Sequence, residues 1–310
     1  MAEQVIAIFG PTASGKSAVA EALADRIPAA LISADAMQVY RGVPILTNQS
    51  ERPTELVAIW ELDHEASVGE YAALAHDAID KTIGKGLTPV VVGGTGLYLR
   101  AALVELAVPP APSPAERARW ERFYDQVGPQ HAHEALAERD PEAADRIHPN
   151  DRRRVVRALE LAEAGSSLAP REDRLWTEDT RHPTVLVGLE LEKEELDRRI
   201  EERTRAMFER GAVEEARQAL ARPISATART IHGVQELADL PEEEAFDALL
   251  RRTRRYAAYQ RKWMRRIPGL VSLPADRPPG DVADAILEVA RAGERLPAGP
   301  ARRSRRSADA

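Results

Sequence analysis

Residues 5–24 read "VIAIFGPTASGKSAVAEALA": an apolar run, a glycine-bearing turn, then a stretch rich in helix formers. Gly10, Thr12, Ala13, Ser14, Gly15, Lys16 and Ser17 fit G-x4-G-K-[ST], the phosphate-holding loop between a buried strand and a helix. The glycines let backbone N–H groups close around phosphate oxygens, and the helix beginning near Gly15 aims its positive end at them. Lys16 supplies a point charge, and the Ser17 hydroxyl suits Mg²⁺, the one metal expected here. The loop alone identifies neither the phosphate compound nor what receives from it.

Outward from that loop the elements alternate. "QVIAIF" (4–9) reads as a buried strand, and "AALISAD" (29–35) as a second strand ending in Asp35. Residues 68–86 read as a helix stopped by glycine, and "TPVVVGGTGLYLRAAL" (88–103) as strand, glycine turn and helix. Strand–helix alternation predicts an α/β fold, a P-loop NTPase-like parallel sheet. "VPPAPSP" (108–114) breaks the rhythm, residues 115–168 are helical in pattern, and "HPTVLVGLEL" (182–191) returns to strand character. The expected organisation is a core from 1–112 and 182–295 with C-terminal helices, a helical insertion at 113–181, and a disordered tail at 296–310.

The chain has 310 residues, 44% hydrophobic and 30% charged, enough for one large or two modest cores. It has no cysteine, which excludes a disulfide scaffold and a thiolate zinc site. No stretch approaches the ~20 apolar residues of a membrane span, and Glu3 stands where a leader would be basic. A cytoplasmic monomer without membrane contact is the expectation. The net charge of −7 argues against a wholly basic nucleic-acid binder, yet "RRTRRYAAYQRKWMRR" (251–266) carries eight basic residues and no acidic one. "NDRRRVVRALE" (150–160) is a second basic cluster.

Asp35 falls at the carboxyl edge of the sheet, where open α/β sheets meet their ligands. There a carboxylate holds Mg²⁺ through water, takes a proton, or merely caps a turn. Thr95, in "GGTG", offers a hydroxyl at the same edge, or caps a helix. Leu196, Ile200, Arg203 and Met207 share one helical face, so the Arg203 charge points inward and needs an anion: a structural carboxylate or a bound phosphate. Small-molecule kinases, enzymes of another phosphorylated donor and nucleotide switches all remain open on these residues.

The ordered series "GPTASGKS", "SADAMQVYRG", "VVVGGTGLYLRA", "RIHPNDRRRVVRALE", "LDRRIEERTRAMFERGAVEEA" and "RRYAAYQRKWMRR" resembles the tRNA dimethylallyltransferase family, from about Val5 to Arg266. The resemblance implies that the loop, Thr12 through Ser17, holds the diphosphate of dimethylallyl diphosphate. It implies that the acceptor is N6 of the adenosine immediately 3′ of the tRNA anticodon. It implies that Asp35 contacts N6 as general base and that Ala36, Met37 and Gln38 line the adenine pocket. Thr95 would lie beside the reacting groups, Arg203 would clamp the diphosphate, and Arg153, Arg154 and Arg157 would touch tRNA, with the helical insertion closing over the anticodon stem-loop. Two departures stand out: Ala36 replaces a usual serine, and "AAYQRKW" (257–263) replaces A-K-R-Q-x-x-W, losing a lysine and an arginine. The rivals are an adenylate isopentenyltransferase, which needs neither the insertion nor the basic C-terminal helix, a P-loop small-molecule kinase, and a non-catalytic tRNA-binding relative.

Overall fold

All five residues of β1 (Val5–Phe9) are buried, with no polar alternation, the mark of a strand covered on both faces. In the computed structural model, which describes residues 4–106, 113–169 and 177–293, β1 lies inside a six-stranded parallel sheet. The other strands are β2 (Ala29–Ser33), β3 (Thr54–Glu55), β4 (Thr88–Gly93), β5 (Thr184–Glu190) and β6 (Val271–Pro274), in the order β3-β2-β4-β1-β5-β6. Register is set by pairs such as Ile6–Val90 and Ile6–Val185. The short edge strands β3 and β6 escape a periodicity reading: two residues carry no pattern, and "VSLP" half-exposes its side chains.

Helix α1 (Lys16–Ala24) links β1 to β2, and α2 (Val68–Gly84) links β3 to β4. Both β1–α1–β2 and β2–α2–β4 run between strands of one sheet but in opposite directions. Right-handed crossovers therefore put α1 and α2 on opposite faces. Ser67 caps α2, its hydroxyl accepting from the Glu70 amide. Helix α3 (Gly96–Leu103) packs beside α2. The main core joins Ile6, Ile8 and Val187 of the sheet to Val19 and Leu23 of α1 and to Ile286 of a C-terminal helix.

Between Leu103 and β5 the chain forms a separate unit of α4 (Pro114–Arg139), α5 (Pro141–Arg146) and α6 (Arg152–Glu163). Ser113 and Glu116 make a capping box at the start of α4, and Gly128 with Pro129 kinks it. This unit has its own core, with Trp120, Leu136, Val155 and Leu159. Its boundary differs from the expected 113–181. Residues 177–181 belong with the sheet, the Arg181 amide donating to the Leu103 carbonyl and its guanidinium pairing with Asp80.

The remaining helices are α7 (Lys193–Glu209), α8 (Ala212–Leu220), α9 (Glu236–Asp239), α10 (Glu242–Met264) and α11 (Pro279–Ala292). Residues 192–220 read as helical throughout, and the break between α7 and α8 falls at Gly211. The tail 296–310 lies outside the described residues.

Candidate active site

Three loops leave the carboxyl ends of the neighbouring strands β1, β4 and β2: the phosphate loop, the "GGTG" turn and the Asp35 turn. In the first, Ala13 and Gly15 take positive φ, 63° and 89°. For Ala13 that conformation costs about 1–3 kcal/mol, and the Ser14 hydroxyl is buried beside it without a hydrogen bond. The Lys16 ammonium donates to the Pro11 carbonyl at 2.7 Å. Burial pulls the Lys16 pKa down to about 8, against the raising pull of Asp35 and with a further push from Arg203.

Arg203 arrives from α7 on the stripe its sequence predicts, with Leu196, Ile200 and Met207 buried around it. Its guanidinium donates to Thr12 Oγ1 at 2.8 Å. Burial lowers its pKa, Asp35 offsets part of that, and Arg210 adds to it. Among the described residues Arg203 forms no ion pair, so a structural carboxylate within pairing distance is not what draws its charge inward. Arg199, one turn earlier, pairs with Glu195 at 2.6 Å, and its guanidinium lies beside Gly15.

Asp35 does two things. Its Oδ1 accepts from the Met37 amide at 2.9 Å, which is the turn role. It also lines the cavity that Thr12, Lys16, Ser17 and Arg203 share. Thr95 occupies the N-cap position of α3, yet its side chain does not cap the helix. Its hydroxyl instead accepts from the Ala36 amide at 3.2 Å and meets the Tyr256 hydroxyl at 3.3 Å. Met37 and Gln38 line the cavity and Ala36 does not. The Gln38 amide is already committed within the fold: its Oε1 accepts from Ser33, and its Nε2 donates to the Thr47 and Asn48 carbonyls.

The lining also includes the apolar side chains Leu46, Ile200, Met207 and Leu249. His232 and Tyr256 complete it, edge to face at 4.5 Å. Burial and Arg252 lower the His232 pKa to about 4, so the ring is neutral, and burial raises that of the Tyr256 phenol. The sequence reading missed Gln260, which is 2% exposed. Its Oε1 accepts from the Thr12 amide and its Nε2 donates to the Gly94 carbonyl, both at 2.8 Å, tying the phosphate loop to the "GGTG" turn. Any side chain at Gly94 or Gly96 would collide with Gln260 or Trp263, which explains both glycines by close approach. The missed signal is a helical stripe, Leu249, Thr253, Tyr256, Gln260 and Trp263, in which a glutamine sits among inward residues.

Three predicted residues lie elsewhere, on α6 of the helical unit. Arg153 and Arg154 are exposed and outside every ion pair of the described residues. Arg157 is half-buried and pairs with the buried Glu160 at 3.1 Å, so part of its charge is spent on the fold.

Comparison with known proteins bears on this arrangement. The family model described as IPP transferase matches residues 38–267, and one described as isopentenyl transferase matches residues 3–57. The chain belongs to the IPP transferase family. It is 41% identical to the tRNA dimethylallyltransferase of Thermobifida fusca over 294 residues, 88% of this chain and 91% of that one. The counterpart from Kineococcus radiotolerans is 39% identical, covering 92% and 96%. Among solved structures, the tRNA isopentenylpyrophosphate transferase of Bacillus halodurans is 31% identical, with a TM-score of 0.66 over 94% of this chain and 98% of that one. In this IPP transferase family member, then, the strand edge that carries the phosphate loop also carries Asp35 and Thr95.

Proposed function

We propose that the chain transfers a dimethylallyl group from dimethylallyl diphosphate to N6 of the adenosine 3′ of the anticodon in tRNA, releasing diphosphate. One observation carries this reading: the phosphate-loop cations and Asp35 share a single cavity with the apolar side chains Leu46, Ile200, Met207 and Leu249. A phosphoryl acceptor for a kinase has no use for those side chains, whereas a five-carbon chain attached to a diphosphate meets both kinds of lining.

The chemistry follows from the charges. Lys16 and Arg203 face one carboxylate, Asp35, leaving an excess of desolvated positive charge. A diphosphate neutralises it, and more so as the allylic C–O bond breaks and negative charge grows on the leaving oxygen. N6 bonds to the allylic carbon as that bond breaks, and its proton passes to Asp35, whose carboxylate is fixed through Met37. Thr95, held between the Ala36 amide and Tyr256, positions the acceptor loop. Among the described residues no group of three or more acidic, histidine or cysteine side chains could cage a metal. The site suits Mg²⁺, which keeps most of its waters: Ser17 Oγ would hold the ion together with diphosphate oxygens, leaving Asp35 for the N6 proton. When bound, the ion would add charge stabilisation to the leaving diphosphate. Arg153 and Arg154 suit contact with tRNA phosphates.

Labelled dimethylallyl diphosphate and Mg²⁺, offered with tRNA or with AMP, tests the reading. Label is expected on tRNA, and Asp35→Asn is expected to slow transfer by roughly two to four orders of magnitude with donor binding retained. Label on AMP alone, or consumption of ATP with no prenyl transfer, would replace this reading with one of its rivals.

A further inference from the structure

Helix α10 carries a feature that the chemistry above does not use. Tyr259 is 55% exposed, on a helix whose last four turns hold no acidic residue. Its helical neighbours are Arg255 and Tyr256 on one side and Lys262 and Trp263 on the other. Arg255 and Lys262 are exposed and outside every ion pair of the described residues. Arg252 and Arg254 are not free in this way: they pair with Glu236 and Glu201.

The Tyr259 ring is held in place although it is exposed. It stacks on Tyr256, centroids 6.5 Å apart and planes 25° off parallel, and meets Trp263 at 6.4 Å nearly edge-on. Both supports reach the acceptor loops, since Tyr256 meets the Thr95 hydroxyl and Trp263 abuts Gly96. An aromatic face thus stands between two exposed cations, Arg255 and Lys262.

We infer that Tyr259 is a stacking platform for an unpaired nucleobase of the acceptor RNA, with Arg255 and Lys262 contacting the phosphates on either side. The inference rests on the tRNA reading above. An unpaired base presents a flat apolar face with a charge on each side, and an aromatic ring bracketed by cations is its complement.

The test is binding of an unmodified tRNA transcript, with adenosine 3′ of the anticodon, across a salt series. Tyr259→Ala is expected to weaken binding about five- to a hundredfold, the span of one base–aromatic stack. The slope of log affinity against log salt should not change, because no phosphate contact is lost. Tyr259→Phe and Tyr259→Trp should bind within about twofold of the parent, since each keeps a stacking face. Tyr259→Arg should steepen the slope by about 0.7–0.9, one added phosphate contact. Parent-like binding by Tyr259→Ala, or a shallower slope in that variant, overturns the inference. Because the ring is exposed, melting temperature should match the parent in every variant. Prenyl transfer to tRNA by the parent is scored separately, so failure of the functional reading is distinguished from failure of the platform.

Discussion

The molecule holds two sets of arginines and lysines that physics treats differently. Lys16 and Arg203 are held at the sheet edge, where burial lowers the pKa of both and one carboxylate answers two cations. Arg153 and Arg154 stand in water on α6 and pair with nothing among the described residues. A desolvated cation without a partner is costly in the empty protein and valuable only when its anion arrives. A solvated cation costs nothing while waiting, adds little per contact, and is screened by salt. The first arrangement suits one defined anion, and the second suits a long polyanion met at many points.

Of the two sets of cations, the buried one should give the larger effect when broken. Arg203→Met removes a guanidinium that pairs with no carboxylate among the described residues, so no buried partner is orphaned and the fold should hold. The loss falls on donor affinity and on the stabilisation of the leaving diphosphate, and turnover should drop by roughly 10²–10³. Melting temperature and steady-state kinetics on the same sample decide the point. A large fall in melting temperature with near-normal turnover at low temperature would make Arg203 structural.

A smaller effect, opposite in sign with and without donor, should follow from Lys16. Its folded pKa of about 8 lies below the 10.5 of an unburied lysine. Between those values the unfolded chain binds a proton that the folded chain has released, so the Lys16 contribution to stability rises with pH across that window. Below about 8 both states are protonated and the full burial penalty applies. A bound diphosphate favours the charged form and reverses the trend. Donor affinity should therefore fall above about pH 8, by at most roughly tenfold per pH unit for one proton. Lys16→Met should remove the Lys16-dependent part of both trends, read by thermal melts and by donor titration from pH 7 to 10. A donor affinity that is flat with pH would show that Lys16 does not meet the anion.

The buried set was easier to read in the sequence than the contacts that hold the loops around it. The phosphate loop announces itself because glycine, lysine and serine at fixed spacing have few other uses. Arg203 was legible as a charge on an apolar stripe. Asp35 and Thr95 were placed at the right strand ends, but the commitment of Thr95 to Ala36 and Tyr256 rather than to its helix is a tertiary fact. Gln260 joins loops 166 and 248 residues away in the chain, and no local pattern encodes such partners. The sheet was legible where strands are fully buried, as in "VIAIF", and illegible at β3 and β6, where pairing alone defines the strand. Arg153, Arg154 and Arg157 look equivalent in "RRVVR" (153–157). Only packing shows that Val155 and Val156 turn Arg157 toward Glu160 and leave Arg153 and Arg154 in solvent.

That last distinction gives the finest test of the comparison. Glu160 is buried, with its side chain 1% exposed, and it draws on Arg157 at 3.1 Å and more weakly on Arg117 at 3.7 Å. Arg157→Ala leaves the carboxylate with only the longer contact. Breaking a buried pair costs about 3–5 kcal/mol, and the lower end applies because Arg117 remains and Arg157 is itself partly solvated. Arg153→Ala and Arg154→Ala strand nothing, so each should leave the melting temperature unchanged. Their effect should appear only with tRNA, as a few-fold weaker affinity and a salt slope reduced by about 0.9 per contact with a paired stem. Thermal melts and tRNA binding at several salt concentrations, run on all three variants, separate the roles. If Arg157→Ala melts like the parent and loses salt slope as the other two do, the three arginines form one solvated surface, and the division between structural and waiting cations fails within that helix.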